Sequence, residues 1–405
     1  MNLKSDDMSF LTQDQRNHLA FVRESWTLMY GLYETWYEEM MDYVSVDEPG
    51  QLVLLIGPTH VGKTALMKFL ERILAKRATD LGMPILGSSY IRIPAASNSK
   101  FDKGETYRRL IQALQPELPQ KYVAYGDPRS GAIKPTDMRR MTHAGMLQAV
   151  VNRMRDGYSA LFLDEVGELP LLLKTNAMIE AAMAIKEIAD LAQRTAFLAG
   201  GPEVAPLLWQ NAQLTARLQT IWIRPLNIRN KNEVAQFIGF FSGIVHELGP
   251  DYIDPEIVSV SNGRYIMMKT WGTIGLASKE IIRAVARSLR RLGKPLQWEM
   301  LKECFDRCHE RLRYEMAFEI KMFEAAQDPD RRSDYWALAS KLNMRSTLDG
   351  RIKERNRGYS SEKAGEEGKA TTRNNAQKSN VKKGTARPEQ PERTPMDAVP
   401  EVDEV

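Results

Sequence analysis

Between Gln51 and Leu70 the chain reads QLVLLIGPTHVGKTALMKFL. Gly57, Pro58, Thr59, His60, Val61, Gly62, Lys63 and Thr64 fit the pattern G-x-x-x-x-G-K-[ST] without a mismatch. Each residue type in that pattern has a use. Glycines let backbone amides curl around phosphate oxygens, and a helix starting at the end of the loop adds its dipole. Lys63 brings a point charge to β- and γ-phosphates, and Thr64 offers a hydroxyl to Mg²⁺. The expected cofactors are therefore ATP and Mg²⁺. A second group of residues lies roughly one hundred positions on, where the apolar run Ala160 to Leu163 ends in Asp164 and Glu165. An Asp at a strand end holds a metal's water shell, and a Glu beside it can polarise the attacking water. Lys63, Asp164 and Glu165 are thus the catalytic candidates, and Thr64 and Asp164 the metal ligands.

These residues need elements to hold them. Leu52 to Ile56 is short and aliphatic enough for a fully buried strand, and Ala65, Leu66, Phe69 and Leu70 follow at helical spacing. The loop thus sits between a strand and a helix, as its chemistry requires. Further strands are predicted near 88–93, 159–163, 195–199 and 220–223, with helices at about 105–114, 136–156 and 175–192 between them. Strands alternating with helices in this way imply a parallel sheet covered on both faces. The predicted fold is α/β, a five-stranded parallel sheet flanked by helices. Before it, a long helical pattern runs from Thr12 to about Tyr43, crowded with Trp26, Tyr30, Tyr33, Trp36, Tyr37 and Tyr43. Residues 116–135 carry four prolines and read as irregular. After Asn230 the pattern is helical throughout, with helices at about 231–247, 254–260, 263–274, 277–291 and 297–326 and a short one near 333–342. Four regions follow: a helical extension (1–48), a nucleotide-binding core (49–228), a helical lid with C-terminal helices (229–345) and a charged tail (346–405) whose composition predicts disorder.

Length and composition set the bounds. The chain's 405 residues allow two or three domains. A net charge of +4 does not by itself call for nucleic acid, so any DNA surface must come from local arrangement. Cys304 and Cys308 lie four apart on a predicted helix beside His309, which reads as a reduced pair rather than a metal site. No apolar segment approaches membrane-spanning length and the first residues lack a signal peptide's core, so a soluble, cytoplasmic protein with no membrane partner is expected.

Taken together, these motifs resemble those of an AAA+ ATPase. Within that class three stretches, IGPTHVGKTALMKFL, YIRIPAASNSKFDKGETYRRLIQALQPELP and AFLAGGPEVAPLLWQNAQLTARLQTIWIRPL, are similar to the TnsC/TniB family of transposition regulators. The resemblance covers about residues 15–290. It implies a protein that assembles on duplex DNA as an ATP-dependent ring or helical filament, with hexameric or heptameric turns, and links target-site selection to a transposase. It implies that Arg217 is an arginine finger reaching a neighbouring copy's γ-phosphate, and that Arg264 is a sensor residue at the nucleotide. It also implies that some N-terminal aromatics line the base pocket. DNA contacts are expected from Lys100 and Lys103 on the polar loop after the second strand, and from Lys134, Arg139 and Arg140 after the irregular segment. These would be phosphate contacts, independent of sequence and sensitive to salt. One position departs from the family pattern: Gly201 stands where a polar side chain would hold the attacking water, so slow hydrolysis is one expectation, and a polar group supplied from elsewhere is the other. The alternatives are a helicase loader or replication initiator of the same class, and a non-catalytic nucleotide-switch scaffold. The tail is either a transposase contact or a solubilising linker.

Overall fold

The computed structural model describes residues 11–24, 31–45, 50–82, 88–93, 102–114, 122–126, 133–137, 141–157, 160–166, 175–209 and 218–341. The chain opens with helices α1 (Gln13–Glu24) and α2 (Leu32–Ser45). One long helix was expected here, and the chain forms two. Gly31 adopts φ +45°, a left-handed backbone that favours glycine and interrupts the helical run, so the second helix starts afresh there. Strand β1 (Leu52–Ile56) comes next, then α3 (Lys63–Asp80), β2 (Tyr90–Arg92) and α4 (Lys103–Leu114). The α3 residue Glu71 fixes the entry to β2, its Oε1 accepting from Ser88 Oγ (2.6 Å), Ser89 N (2.8 Å) and Tyr90 N (3.1 Å).

The segment read as irregular contains β3 (Tyr122–Gly126) and β4 (Ile133–Asp137), an antiparallel pair forming its own two-stranded sheet. Pro135 sits in β4 opposite Ala124, a position open to proline where a strand has only one partner. Because residues 133–137 are in a strand, the next helix, α5 (His143–Gly157), starts later than expected. It is capped by Thr142, whose Oγ1 accepts from Gly145 N at 3.1 Å. There follow β5 (Ala160–Asp164), α6 (Thr175–Ala192), β6 (Thr195–Gly200), a 3₁₀ helix (Pro202–Leu208) and β7 (Leu218–Trp222).

The main sheet has five strands in the order β2-β5-β6-β1-β7, with every pair parallel. All five residues of β1 are buried, as befits a central strand covered on both faces. The two-residue period sorts them. Val53 and Leu55 face a core shared with α1, α2 and the C-terminal helices. Leu52, Leu54 and Ile56 face a second core lined by α4, α5 and α6.

Beyond β7 the described chain is helical: α7 (Lys231–Leu248), α8 (Val260–Lys269), α9 (Ile274–Leu292) and α10 (Trp298–Gln327), with further helical turns over 332–341. Side chains set the starts. Asn230 caps α7 by accepting from Asn232 N, and Ser259 caps α8 by accepting from Asn262 N. The helix expected over 254–260 is only a 3₁₀ turn, Pro255–Ile257, because the Ser259 cap starts α8 three residues earlier than the pattern suggested. Helix α10, of 30 residues and hence about 45 Å, belongs to both cores. Leu301, Cys304 and Phe305 pack in the first, while Met322, Phe323, Ala325 and Ala326 pack in the second. Met1–Leu348 forms one compact unit, and the predicted tail lies outside the described residues.

Candidate phosphate-binding site

At the carboxyl end of β1 the chain enters its glycine loop. Gly57 N donates to Gly200 O at 3.3 Å, pinning the loop to β6, and a Cβ on Gly57 would lie 2.2 Å from Ile223 O. His60 (φ +67°) and Gly62 (φ +106°) are both left-handed, so the loop folds into a concavity that can present amides to an anion. His60 O accepts from Gly275 N at 2.8 Å, which fastens the loop to the first turn of α9. Tyr33 of α2 packs over Gly62, where a Cβ would meet its hydroxyl at 2.3 Å. Burial, together with the Lys279 and Lys63 charges, pushes the His60 imidazole down to about 4, so it is neutral throughout the physiological range.

Two adjacent carboxylates of opposite character stand at the end of β5. Asp164 ends β5, and its Oδ2 accepts from Thr64 Oγ1 at 2.6 Å and from Tyr90 OH at 2.7 Å. Its Oδ1 accepts from Glu165 N at 2.9 Å. Thr64 and Asp164 come together because parallel strands β1 and β5, with β6 between them, end at the same edge. Glu165 is exposed at φ +60°, and its Oε1 lies 3.6 Å from Arg92 Nη1 on β2. Both side chains are about half exposed, so that pair orients more than it stabilises.

Lys63 is turned onto its own loop, donating to Gly57 O at 2.5 Å and Pro58 O at 2.9 Å. Burial lowers its pKa, and the nearby acids Glu319, Glu203 and Asp164 oppose that. Glu203 folds back so that its Oε1 accepts from Gly201 N at 3.0 Å. Its carboxylate fills the space a Gly201 side chain would take, since a Cβ there would lie 2.2 Å from Glu203 Oε2. Glu319 comes from α10, and its Oε1 accepts from both Thr59 N (2.7 Å) and Thr59 Oγ1 (2.6 Å). Desolvation pushes both carboxyls upward.

Lys63, Thr64 and Asp164 therefore converge, with Gly57, Pro58, Thr59, His60, Val61 and Gly62 as the cradle, and Glu165 follows Asp164 with its side chain beside Arg92. Arg264 is exposed on α8, while links from the loop to the helical region run through Gly275 and the charge of Lys279 on α9 and through Glu319 on α10. Arg217, Lys100, Arg139 and Arg140 lie outside the described residues. Lys134 is in β4 opposite Tyr125, and Lys103 is the first residue of α4, behind Asp102, whose Oδ1 accepts from Glu105 N. Tyr90, Arg92, Glu203 and Glu319 escaped the sequence reading. Glu203 left a trace, an acid two residues after a glycine that lacks the expected polar side chain. Glu319 left none, because nothing local marks it off from the other acids of a long helix.

The cradle fits a nucleoside triphosphate. Gly57 and Gly62 lie where a Cβ would collide, two loop carbonyls hold a half-buried lysine, and a hydroxyl and a carboxylate share one contact, the donor set Mg²⁺ takes beside phosphates. Residues 46–208 match the family model of the AAA domain. The AAA domain match spans β1 to the 3₁₀ helix and so includes the glycine loop, Asp164, Glu165 and Glu203. No curated protein matches the chain. Solved structures similar to it include the Aeropyrum pernix ORC1 protein in complex with DNA (14% identity, 77% of this chain and 71% of that chain, TM-score 0.46). Others are Drosophila ORC bound to DNA (12% identity, 84% and 80%, TM-score 0.43) and the Walker-type ATPase PABY2304 of Pyrococcus abyssi (13% identity, 76% and 87%, TM-score 0.44). Likeness at this level says nothing of what the chain binds. Among the described residues, no helix is long and apolar enough to cross a membrane.

Proposed function

We propose that this chain is an ATP-dependent, DNA-binding AAA+ regulator of transposition that oligomerises on duplex DNA and links target-site selection to a transposase. The observation that carries the nucleotide part is the 2.6 Å contact between Thr64 Oγ1 and Asp164 Oδ2 beside a half-buried Lys63 inside a segment matching the AAA domain. The TnsC/TniB resemblance of the three quoted stretches supports the transposition part. In this reading Lys63, now on the Gly57 and Pro58 carbonyls, would serve the phosphates, and Thr64 and Asp164 would hold Mg²⁺. Bound Mg²⁺ and ATP supply a phosphoanhydride whose charge the cation neutralises. Glu165 orients the water, Tyr90 fixes the Asp164 carboxylate, and Arg217 of one copy serves the site of the next. Because hydrolysis needs a neighbour, assembly and turnover are coupled. Lys100, Lys103, Lys134, Arg139 and Arg140 are the proposed phosphate contacts to DNA.

A second reading, a nucleotide switch that binds without turning over, has support in Gly201, where Glu203 fills the space of a side chain. The deciding experiment is electron microscopy with duplex DNA and a slowly hydrolysed ATP analogue. Native protein should form ordered assemblies and Lys63→Ala none. Tight nucleotide binding with no DNA assembly would favour the switch.

A further inference from the structure

We infer that α10 is an intrinsic inhibitor of the nucleotide site: the Glu319 carboxylate occupies the glycine loop, and α10 must withdraw it before a triphosphate can enter. This rests on the nucleotide-binding reading above. One carboxylate oxygen takes both the amide and the hydroxyl of Thr59, at 2.7 and 2.6 Å. An anion receiving a backbone N–H of a phosphate loop stands where a phosphate oxygen would stand. The contact joins positions 260 residues apart, so tertiary packing rather than local chain geometry creates it.

Helix α10 is held there on both sides of Glu319. Before it, Leu301, Cys304 and Phe305 lie in the core shared with α7 to α9. After it, Phe323 packs edge-on against Trp222 of β7 with centroids 5.7 Å apart, and Met322, Ala325 and Ala326 are buried in the other core. The turns beyond α10 add a clasp, since Tyr335 is buried, its hydroxyl donates to Pro202 O at 3.1 Å, and its ring meets Trp209. Charge points the same way. Lys63 has Glu319, Glu203 and Asp164 around it, and these acids offset the Lys63, Lys279 and Arg283 charges that a polyanion would otherwise meet at the loop. Asp164 acquires a cation when Mg²⁺ arrives and Glu203 is tied to Gly201. Glu319 is the acid whose removal opens the loop, and it rides on a helix that also borders α9 and β7. A partner or a neighbouring copy that draws α10 aside would license nucleotide binding.

The test measures binding of a fluorescent ATP analogue with Mg²⁺ to the full chain and to Glu319→Ala, Glu319→Gln and Glu315→Gln, with Lys63→Ala as the nucleotide control. Glu315 is an exposed acid one turn away on the same helix. A contact that keeps the competent loop to a tenth of the population or less taxes affinity in proportion. Glu319→Ala should therefore bind about tenfold tighter or better, Glu319→Gln less so because its amide oxygen still accepts, and Glu315→Gln, which only removes a like charge from beside Glu319, should not bind tighter than wild type. Amide hydrogen exchange over residues 315–327 gives a second readout. Nucleotide should speed exchange there in wild type, and Glu319→Ala should show the faster exchange beforehand. Binding that Lys63→Ala abolishes but Glu319→Ala leaves unchanged or weakens would overturn the inhibitor and leave the nucleotide reading intact. Absence of binding in every variant, Glu319→Ala included, overturns both.

Discussion

At the scale of single residues, three glutamates show how surroundings decide the meaning of a carboxyl. Glu233 is buried but accepts from Arg224 through two nitrogens (2.8 and 2.9 Å), from Asn227 N (2.7 Å) and from Asn230 Nδ2 (2.8 Å). The Arg224 guanidinium, foremost among these, holds its pKa below the ordinary 4.5. It contributes stability that is complete above that value and is lost as pH falls through the depressed one. Glu233→Ala should cost about 2 kcal/mol near neutrality, less than for a fully buried pair because Arg224 is partly exposed, and the gap to wild type in urea midpoint should close in acid. Glu203 and Glu319 are the reverse, raised by desolvation. Their charged forms oppose folding, so stability declines as pH rises from 4.5 through the raised values. Glu203→Gln should therefore raise the neutral-pH urea midpoint and lose that advantage below the ordinary carboxylate range. Lys63 gives the sharpest functional prediction. Lys63→Ala should weaken ATP binding by about a hundredfold or more, measured by isothermal titration, since it removes the loop's own cation.

At the scale of elements, the site depends on strand ends brought level. Thr64 follows β1, Asp164 ends β5 and Tyr90 begins β2, and their side chains meet at a single oxygen. Gly57 sets the spacing between β1 and the chain after β7, where Ile223 N donates to Ile56 O at 2.8 Å. Gly57→Ala would drive a Cβ into the Ile223 carbonyl, which is backbone and cannot swing away. We expect a loss of about 1–3 kcal/mol in chemical denaturation and a larger proportional loss of nucleotide affinity, because the loop and the strand pair move together. Tyr90→Phe should leave the fold intact and raise the Mg²⁺ concentration needed for half-maximal ATP binding, as Asp164 would lose one of the two groups orienting its outer oxygen.

At the scale of the whole molecule, α10 ties the faces of the sheet together. Phe305 is fully buried in the core with α7 to α9, and Phe305→Ala should cost about 3–5 kcal/mol. Ending the chain after Leu348 should leave the melting temperature unchanged, because the compact unit closes there. Ending it after Gln297 should not, since both cores would lose apolar side chains they now bury. Scanning calorimetry of the two truncations distinguishes these outcomes.

Much of this architecture was readable residue by residue. Buried strands such as Leu52–Ile56 declare themselves by aliphatic runs, and amphipathic helices such as Thr175–Ala192 by their spacing, because burial acts on short windows of sequence. The glycine loop and Asp164 were legible for the same reason, their chemistry being written in adjacent positions. The β3–β4 pair was hidden by prolines, whose tolerance depends on whether a strand has one partner or two. Strand order, the hydrogen bond from Gly275 of α9 to the loop, and the seating of Glu319 on Thr59 belonged to the tertiary structure alone. Each joins residues far apart in the chain, and such pairings are selected by the packing of the whole rather than by anything a local stretch of side chains carries.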